Sequence, residues 1–276
     1  MMMSNILPPE VWNMIFSHLD LTDLNMVMLV SKDLARVAMA GKQWSKVMPS
    51  RKKMSMIDMV ENINTIKMDR LHNVSLIDIK DYVNDSLDLD EAQERVIYRN
   101  VLQYCRTMEH VDELSMESAN LVNIGTNLIT ECIMKLRSLN LRYCQIAPDD
   151  LVKILSTIPL SQNLKSIDLS SMDFSSVPPY MLREAARRLD HLYLNHSTLT
   201  VEKCMKLLDG VKSNPQMKSL GLGGQQNLKH LPIKMLKNMI TPNMRSLELS
   251  EINLKPEQLK SILQKMSMIP NLTVIL

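Results

Sequence analysis

Cysteine is scarce in this chain, and its four cysteines lie far apart, at positions 105, 132, 144 and 204. No Cys-x-x-Cys pair occurs, and the six histidines are scattered without the spacing of metal ligands. This arrangement predicts reduced thiols with a structural role rather than a disulfide framework or a metal centre. We therefore expect no metal and no other cofactor.

An excess of charge of one sign and long apolar runs are lacking as well. The formal net charge is +2, which is too near balance to favour nucleic acid or an anionic membrane as a partner. No apolar run approaches the length of a membrane span, and Glu10 with two prolines stands where a signal peptide would have its apolar segment. We therefore expect a cytoplasmic or nuclear protein that binds neither nucleic acid nor membrane.

Catalytic motifs are also missing. No Ser/His/Asp order, His-Glu-x-x-His motif or pair of carboxylates can be defended as a catalytic site. Three of the six glycines fall in Gly221-Leu222-Gly223-Gly224, but this run lacks the Lys-Ser/Thr ending of a phosphate-binding loop and lies inside a repeated segment. These absences predict a protein without catalytic activity of its own.

The first forty-odd residues carry a pattern of short helices. Pro8 and Pro9 suit the first turn of a helix, where a missing N–H loses no intrahelical partner, and the helix dipole favours Glu10 there. A break falls at Asp20-Leu21-Thr22, where Thr22 can cap a second helix, and a third helix follows Ser31. The apolar spacing assigns buried positions of the second helix to Leu24, Val27, Met28 and Val30.

A module of this size has almost no interior, so it cannot bury all of its apolar residues within itself. The surplus either packs on the following domain or forms a protein-binding face. An unusually apolar surface on a small helical unit favours the second interpretation.

The order Leu7-Pro8-Pro9-Glu10-Val11, the step Val30-Ser31-Lys32 and the closing Trp44 resemble an F-box, the three-helix module that docks substrate receptors onto the Skp-type adaptor of SCF ubiquitin ligases. Asp20-Leu21 stands where the family usually has Asp-Pro, and Leu34 stands where it frequently has Trp. With the module placed at residues 4–48, the resemblance implies that seven residues match the positions that contact the adaptor: Leu7, Pro8, Ile15, Leu19, Leu24, Val30 and Trp44.

Residues 49–110 form a connecting segment after a break at Pro49. Apolar spacing predicts a helix through residues 57–63, a short strand over 71–76 and a longer helix over 90–104. The longer helix is expected to bury Val96, Ile97, Val101 and Leu102. Helix, strand and helix together make a degenerate first repeat of the architecture that follows.

Residues 111–276 repeat a Leu-x-x-Leu-x-Leu pattern. The clearest copy is Leu136-x-x-Leu139-x-Leu141-x-x-Cys144, and the last is a truncated Leu272-x-x-Ile275. Copies begin at 111, 136, 164, 189, 217, 244 and 272, at intervals of 25, 28, 25, 28, 27 and 28. Amphipathic helices lie between them, such as those opened by Pro148 and Pro256. The pattern is similar to the leucine-rich repeats of ribonuclease-inhibitor-like proteins and of F-box receptors. The expected fold is α/β, a small F-box followed by a solenoid with strands on its concave side and helices on its convex side.

The residues between the leucines should face the concave surface, because side chains alternate along a strand. This face is polar, and its acids outnumber Arg142, which favours a polar, somewhat basic partner segment. His191 and Tyr193 give one aromatic point near the middle, where a binding hot spot is expected; the small Ser and Gly residues around them are equally consistent with solvated surface. The candidate target-binding residues are Glu117, Asn140, Arg142, Asp168, His191, Tyr193, Asn195 and Glu248.

The resemblance implies a non-catalytic substrate receptor of an SCF-type ubiquitin ligase. The F-box would bind the Skp-type adaptor, and through it a cullin and a RING protein, while the repeats hold an unidentified protein target for ubiquitination and proteasomal degradation. One alternative is a scaffold or inhibitor-like protein whose N-terminal helices only cap the repeats, and another is a regulator that binds the adaptor without the cullin. The surplus of apolar residues in the first module and the break at Pro49 favour a projecting module over a cap.

Overall fold

Apolar residues recur every 25 to 28 residues, so successive repeats each contribute side chains to a common core. In the computed structural model, residues 7–19, 21–40, 46–47, 76–78, 90–107 and 111–275 are described. The chain forms two compact units, Met1–Met116 and Glu117–Leu276. Within the described ranges, no helix is both long enough and apolar enough to cross a membrane.

Three short helices open the first unit: α1 (Pro9–Phe16), α2 (Leu21–Val30) and α3 (Lys32–Ala40). Of the two prolines predicted in the first turn, Pro9 begins α1 and Pro8 lies at its N-cap, one residue earlier. The second helix begins at Leu21, one residue before Thr22. Thr22 therefore lies in the first turn and does not occupy the N-cap position that was predicted for it. Ser31 caps α3, since its Oγ accepts a hydrogen bond from the Leu34 N–H at 3.1 Å.

In the rest of the first unit, the described residues form three parallel strands and one long helix: β1 (Lys46–Val47), β2 (Leu76–Asp78), β3 (Glu113–Ser115) and α4 (Glu91–Thr107). The helix predicted through residues 57–63 lies outside the described residues, as does most of the strand predicted over 71–76.

The long helix α4 corrects one predicted core position. Its buried residues are Ile97, Tyr98, Val101, Leu102 and Cys105. Val96 is 54% exposed, so its predicted burial is wrong. The buried residues follow the spacing i, i+1, i+4, i+5, i+8 from Ile97. Val96 comes one position before Ile97, so its side chain lies about 100° around the helix from Ile97 and away from the buried face.

The second unit stacks six parallel strands in chain order: β4 (Ser138–Asn140), β5 (Ser166–Asp168), β6 (His191–Tyr193), β7 (Ser219–Gly221), β8 (Ser246–Glu248) and β9 (Thr273–Ile275). The α-helices of this unit are α5 (Thr126–Lys135), α6 (Pro148–Thr157), α7 (Pro179–Ala186), α8 (Val201–Lys212), α9 (Ile233–Leu236) and α10 (Pro256–Met266).

The repeated apolar positions form the core of this unit, as the sequence predicts. In the five copies that start at 136, 164, 189, 217 and 244, the three pattern positions are at most 3% exposed. The helix opened by Pro148 buries Leu151, Ile154 and Leu155. In the helix opened by Pro256, Ile262 is buried whereas Leu263 is 42% exposed.

The last strand differs from its predicted register by one residue. Val274, and not Ile275, pairs with Leu247 of the preceding strand. Ile275 is therefore 50% exposed, because a one-residue shift moves a side chain to the other face of a sheet. Leu272 lies one residue before the strand, at the position that Arg245 has in the preceding repeat.

A left-handed residue follows the strand at the same position of each repeat: Ser118, Tyr143, Ser171, His196, Gly224 and Glu251 all have φ between 55° and 74°. Side chains other than glycine rarely adopt this conformation. Backbone bonds between repeats hold it here; for example, the Ser171 N–H donates to the Asn195 carbonyl and the His196 N–H to the Gly223 carbonyl, both at 2.7 Å. The turn geometry of one repeat is thus fixed by the next.

Buried polar side chains tie each repeat to the one before it. Asn214, only 3% exposed, donates from Nδ2 to the Ala186 and Leu189 carbonyls at 2.8 and 2.7 Å. Gln225 and Lys203 are buried in the same way, and each donates to two carbonyls of the preceding repeat. Because a buried carbonyl without a partner is destabilising, these side chains stabilise the stack.

Candidate protein-binding surfaces

Helix α2 is apolar on two opposite faces. Leu24 is 3% exposed, and Val27 and Met28, at i+3 and i+4 from it, are half-buried on the same inward face. On the opposite face, Leu29 and Met26 are 77% and 61% exposed. A short module that exposes this much apolar surface has the composition of an interface.

The predicted adaptor-contacting residues fall into three groups. Pro8, Ile15 and Val30 are exposed, and Leu7 and Leu19 are half-exposed, so all five are accessible. Leu24 is buried in the module and does not present its side chain at the surface. Trp44 lies outside the described residues. The assignment of these residues to adaptor contacts stays a prediction.

Val30 corrects the predicted core of α2. It was expected among the buried positions of this helix, yet it is 70% exposed. At 100° per residue, Val30 lies about 120° around the helix from Leu24, so the two cannot share one inward face.

Sequence reasoning missed three further exposed apolar residues, namely Met14, Met26 and Leu29, which are 67%, 61% and 77% exposed. Met14 is next to Ile15 on α1, and the other two lie beside Val30 on α2. A helical projection from the buried Leu24 would have identified Met26 and Leu29, because both fall on the side of α2 opposite to it.

The concave strands of the second unit bring Tyr193, Asn195 and Glu248 together around a glycine. A Cβ on Gly221 would lie 2.8 Å from Cδ1 of Tyr193 and 2.9 Å from both terminal atoms of Asn195. The missing side chain therefore provides the space that Tyr193 and Asn195 occupy. Asn195 Nδ2 donates to the Glu248 carboxylate at 2.9 Å, and its Oδ1 accepts from the Gly223 N–H at 2.7 Å.

A second concave cluster surrounds Arg142. Its guanidinium lies 4.7 Å from the centre of the Tyr143 ring and donates to the Tyr143 hydroxyl at 3.0 Å. This hydrogen bond raises the pKa of Arg142, and the negative charges of Asp168 and Glu117 act in the same direction. Burial raises the pKa of Asp168, although hydrogen bonds from Ser170 oppose it. The cluster combines a cation on an aromatic face with two acids.

His191 lies on β6, the same strand as Tyr193. Its Nδ1 is 2.9 Å from the Ser219 hydroxyl. Burial lowers the pKa of His191, which favours the neutral imidazole.

The predicted target-binding residues differ in accessibility. Glu117 and Asn195 are only 8% and 6% exposed, so neither presents much surface to a partner, and Asn195 instead positions Glu248. Asn140, Arg142, Asp168, His191, Tyr193 and Glu248 are partly exposed. Their role in target binding stays a prediction.

The cysteines are buried in the cores of their repeats and helices. Burial raises the pKa of both Cys144 and Cys204 to about 12, so these thiols stay protonated at neutral pH. In the part of the chain that the structure describes, no group of three or more His, Cys, Asp or Glu side chains could hold a metal ion.

Residues 4–49 match the F-box-like family model. The chain is also similar to the human leucine-rich repeat-containing protein 14, with 30% identity over 146 residues that cover 51% of this chain. The match spans only 28% of the length of that relative.

Two solved structures are similar to this chain. The leucine-rich repeat-containing protein LegL7 from Legionella pneumophila has 16% identity and a TM-score of 0.41, with coverage of 83% of this chain and 88% of that one. The tropomodulin C-terminal domain from Caenorhabditis elegans has 12% identity and a TM-score of 0.35, with coverage of 76% and 96%.

The family match and the repeated strands define the class of this molecule. It has an F-box-like segment at its N-terminus, followed by leucine-rich repeats that form a parallel sheet with intervening helices.

Proposed function

We propose that this chain is the non-catalytic substrate receptor of an SCF-type ubiquitin ligase. The observation that carries the proposal is the exposed apolar face of α2 in the F-box-like segment, where Met26, Leu29 and Val30 are each more than 60% exposed. Apolar side chains at i, i+3 and i+4 on a short helix are a typical surface for binding another protein.

In this function the F-box-like segment binds a Skp-type adaptor, which in turn binds a cullin and a RING protein. The repeats hold a protein target, so that lysines of the target come close to the charged ubiquitin-conjugating enzyme. Proximity then supplies the rate gain, and no group on this chain takes part in the chemistry. The chain would act in the cytoplasm or the nucleus.

The partly exposed polar residues of the concave strands are the surface proposed for the target. Tyr193 offers an aromatic ring with a hydroxyl, a side-chain type that is frequent at binding hot spots. Glu248 and Asp168 give the strand face an acidic character, which favours polar and basic groups opposite them.

Binding of a purified Skp-type adaptor tests the proposal. We expect the double variant Leu29→Ser/Val30→Ser to bind the adaptor at least about tenfold more weakly than the wild type, because an apolar anchor contributes roughly 2 kcal/mol or more at such an interface. Isothermal titration calorimetry measures the affinity. The matched control is Leu160→Ser/Met268→Ser, which changes two comparably exposed apolar residues of the repeats, 68% and 79% exposed.

The thermal melt should be nearly unchanged in both variants, since all four side chains are largely exposed. A wild-type chain that fails to bind the adaptor would contradict the proposal. The function would then be that of a leucine-rich-repeat scaffold or inhibitor-like protein whose N-terminal helices are only a cap.

A further inference from the structure

One residue just before each of the strands β4 to β8 links neighbouring repeats through its backbone. The Lys165 N–H donates to the Arg137 carbonyl at 2.8 Å, and the Arg245 N–H donates to the Lys218 carbonyl at 2.7 Å. Asp190 continues the same ladder between them. These bonds hold the five residues in one row at the N-terminal ends of β4 to β8.

Four of the five side chains in this row are basic; we call Arg137, Lys165, Lys218 and Arg245 the basic rim. Arg137, Lys165 and Arg245 are exposed, and Lys218 is half-exposed. Lys218 forms an ion pair with Asp190 at 2.6 Å. Among the described residues, the other three members form no ion pair, so their charges are available to a partner.

The rim residues precede the strands, and three of them lie near enough to His191 for their charges to act on its pKa. Burial is the main cause that lowers the pKa of His191. The negative charge of Asp190 raises this pKa, whereas the positive charges of Lys218, Arg137 and Arg245 lower it further. Arg137 and Arg245 precede strands two positions away from β6 on either side. Rim residues from strands on both sides of β6 therefore act on the same His191 side chain.

The length of the rim defines the size of a fitting partner. Adjacent strands lie about 4.8 Å apart, so the four steps from β4 to β8 cover roughly 19 Å. An extended chain advances about 3.3 Å per residue, so roughly six residues span this distance. At its far end, Arg245 lines a polar groove of about 390 Å³ with Asn243, Asn271 and their neighbouring prolines.

We propose that the basic rim binds an extended acidic segment of the protein target. The proposal rests on the receptor function proposed above and assigns the chemistry of the recognised segment. It also revises the expectation of a basic partner, which took account only of residues within the strands.

A protein segment fits this surface better than a nucleic acid does. The strand face beside the rim has the carboxylates of Asp168 and Glu248, which would repel a continuous phosphate backbone. An acidic peptide can place its carboxylates over the rim and turn neutral or basic side chains toward the strand face. The whole chain has a formal net charge of only +2, so no long-range field favours a polyanion.

Fluorescence anisotropy with a short labelled peptide of alternating glutamate and serine tests the proposal on the full chain. The test variant is Arg137→Glu/Lys165→Glu/Arg245→Glu. The control variant Arg183→Glu/Lys206→Glu/Lys260→Glu has the same change in charge at three exposed positions on α7, α8 and α10. Thermal melts show that both variants are folded, and a glutamine-serine peptide controls for contacts that do not depend on charge.

We expect the wild type and the control variant to bind the glutamate peptide, with an affinity that falls as salt is added. The rim variant should bind it at least about tenfold more weakly than the control variant. Equal binding by the two variants, or no preference of the wild type for glutamate over glutamine, would overturn the proposal. Tighter, rim-dependent binding of a single-stranded RNA of similar length would overturn it in favour of nucleic acid.

Measuring adaptor binding with the same protein preparations distinguishes a failure of the rim proposal from a failure of the receptor function. The rim variant keeps the F-box-like segment intact, so it should bind a Skp-type adaptor as the wild type does. If adaptor binding is retained while the wild type ignores the acidic peptide, only the rim proposal fails. If the peptide binds and the adaptor does not, the receptor function fails.

Discussion

On the concave face, the packing of Tyr193 and Asn195 depends on the absence of a side chain at Gly221. Its backbone needs no unusual conformation, because only Gly125 and Gly224 have positive φ among the described glycines. The requirement is space, since Tyr193 and Asn195 occupy the volume of a Cβ. The glycine run that superficially suggests a phosphate-binding loop therefore has a packing role on this face.

Gly221→Ala should lower the free energy of unfolding by about 1–3 kcal/mol, the usual effect of adding a methyl group to a packed site. The added Cβ would displace Asn195 and break its hydrogen bond to Glu248. Chemical denaturation measures the change, with Ser246→Ala on the neighbouring strand as control. A Gly221→Ala protein as stable as the wild type would show that Tyr193 and Asn195 move aside freely.

His191 should make stability depend on pH. Its pKa in the folded chain is lowered from the usual value of 6.5, chiefly by burial. The unfolded chain therefore takes up the proton more readily, and stability falls as the pH drops from above 6.5 through the lowered pKa. We expect the free energy of unfolding to decrease less between pH 7.5 and 5.5 in His191→Gln than in the wild type. Parallel curves for the two proteins would contradict this.

Among the elements, α7 and α8 make a close contact at Gly210. A Cβ there would meet the Arg183 carbonyl oxygen and lie 2.9 Å from the Ala186 Cβ. Neither of these atoms belongs to a flexible side chain, so the helices themselves would have to separate.

Gly210→Ala tests which of two opposing effects is larger. Alanine favours a helix over glycine by about 1 kcal/mol, whereas overpacking costs about 1–3 kcal/mol. Because the clash involves backbone, we expect a net loss of stability in thermal or chemical denaturation. Gly210→Val should be less stable still. A Gly210→Ala protein more stable than the wild type would mean that the helices separate without penalty.

The buried face of a helix or strand is predicted best where a single apolar periodicity determines it. The repeated apolar positions predict the strand cores because each must reach the same interior. Helix α2 is harder to predict, since apolar residues on both faces leave its inward side undetermined until α3 packs against it. Val30 was misplaced for this reason. The register of the final strand was predicted wrongly by one residue because Val274 and Ile275 are both apolar, and after Leu272 either could be assigned to the position that pairs with Leu247.

The candidate sites were predicted less completely than the fold. The residues within the strands follow from alternation, but the burial of Asn195 depends on a glycine one strand away. The basic rim was missed because its residues precede the strands, outside the alternating pattern. Polar residues such as Asn214 give no periodic signal either, since their partners are carbonyls about 25 to 28 residues earlier in the chain.

At the scale of the whole molecule, two kinds of surface occur on one chain. In the F-box-like segment, one face of α2 is exposed and apolar, whereas the concave strands of the repeats present mainly polar and charged side chains. A receptor needs both, because a stable subunit contact relies on apolar burial and selective capture of a target relies on charge complementarity. A scaffold without a ligase role would need only the second.

Assembly with a cullin tests the receptor function most directly. The chain, a Skp-type adaptor, a cullin and its RING protein are mixed and separated by size-exclusion chromatography, with Leu29→Ser/Val30→Ser run in parallel. We expect the wild type to elute with the adaptor, cullin and RING protein in one complex, and the double variant to elute alone. A wild-type chain that binds the adaptor but is excluded once the cullin is present would contradict a ligase subunit and identify a regulator that acts through the adaptor alone.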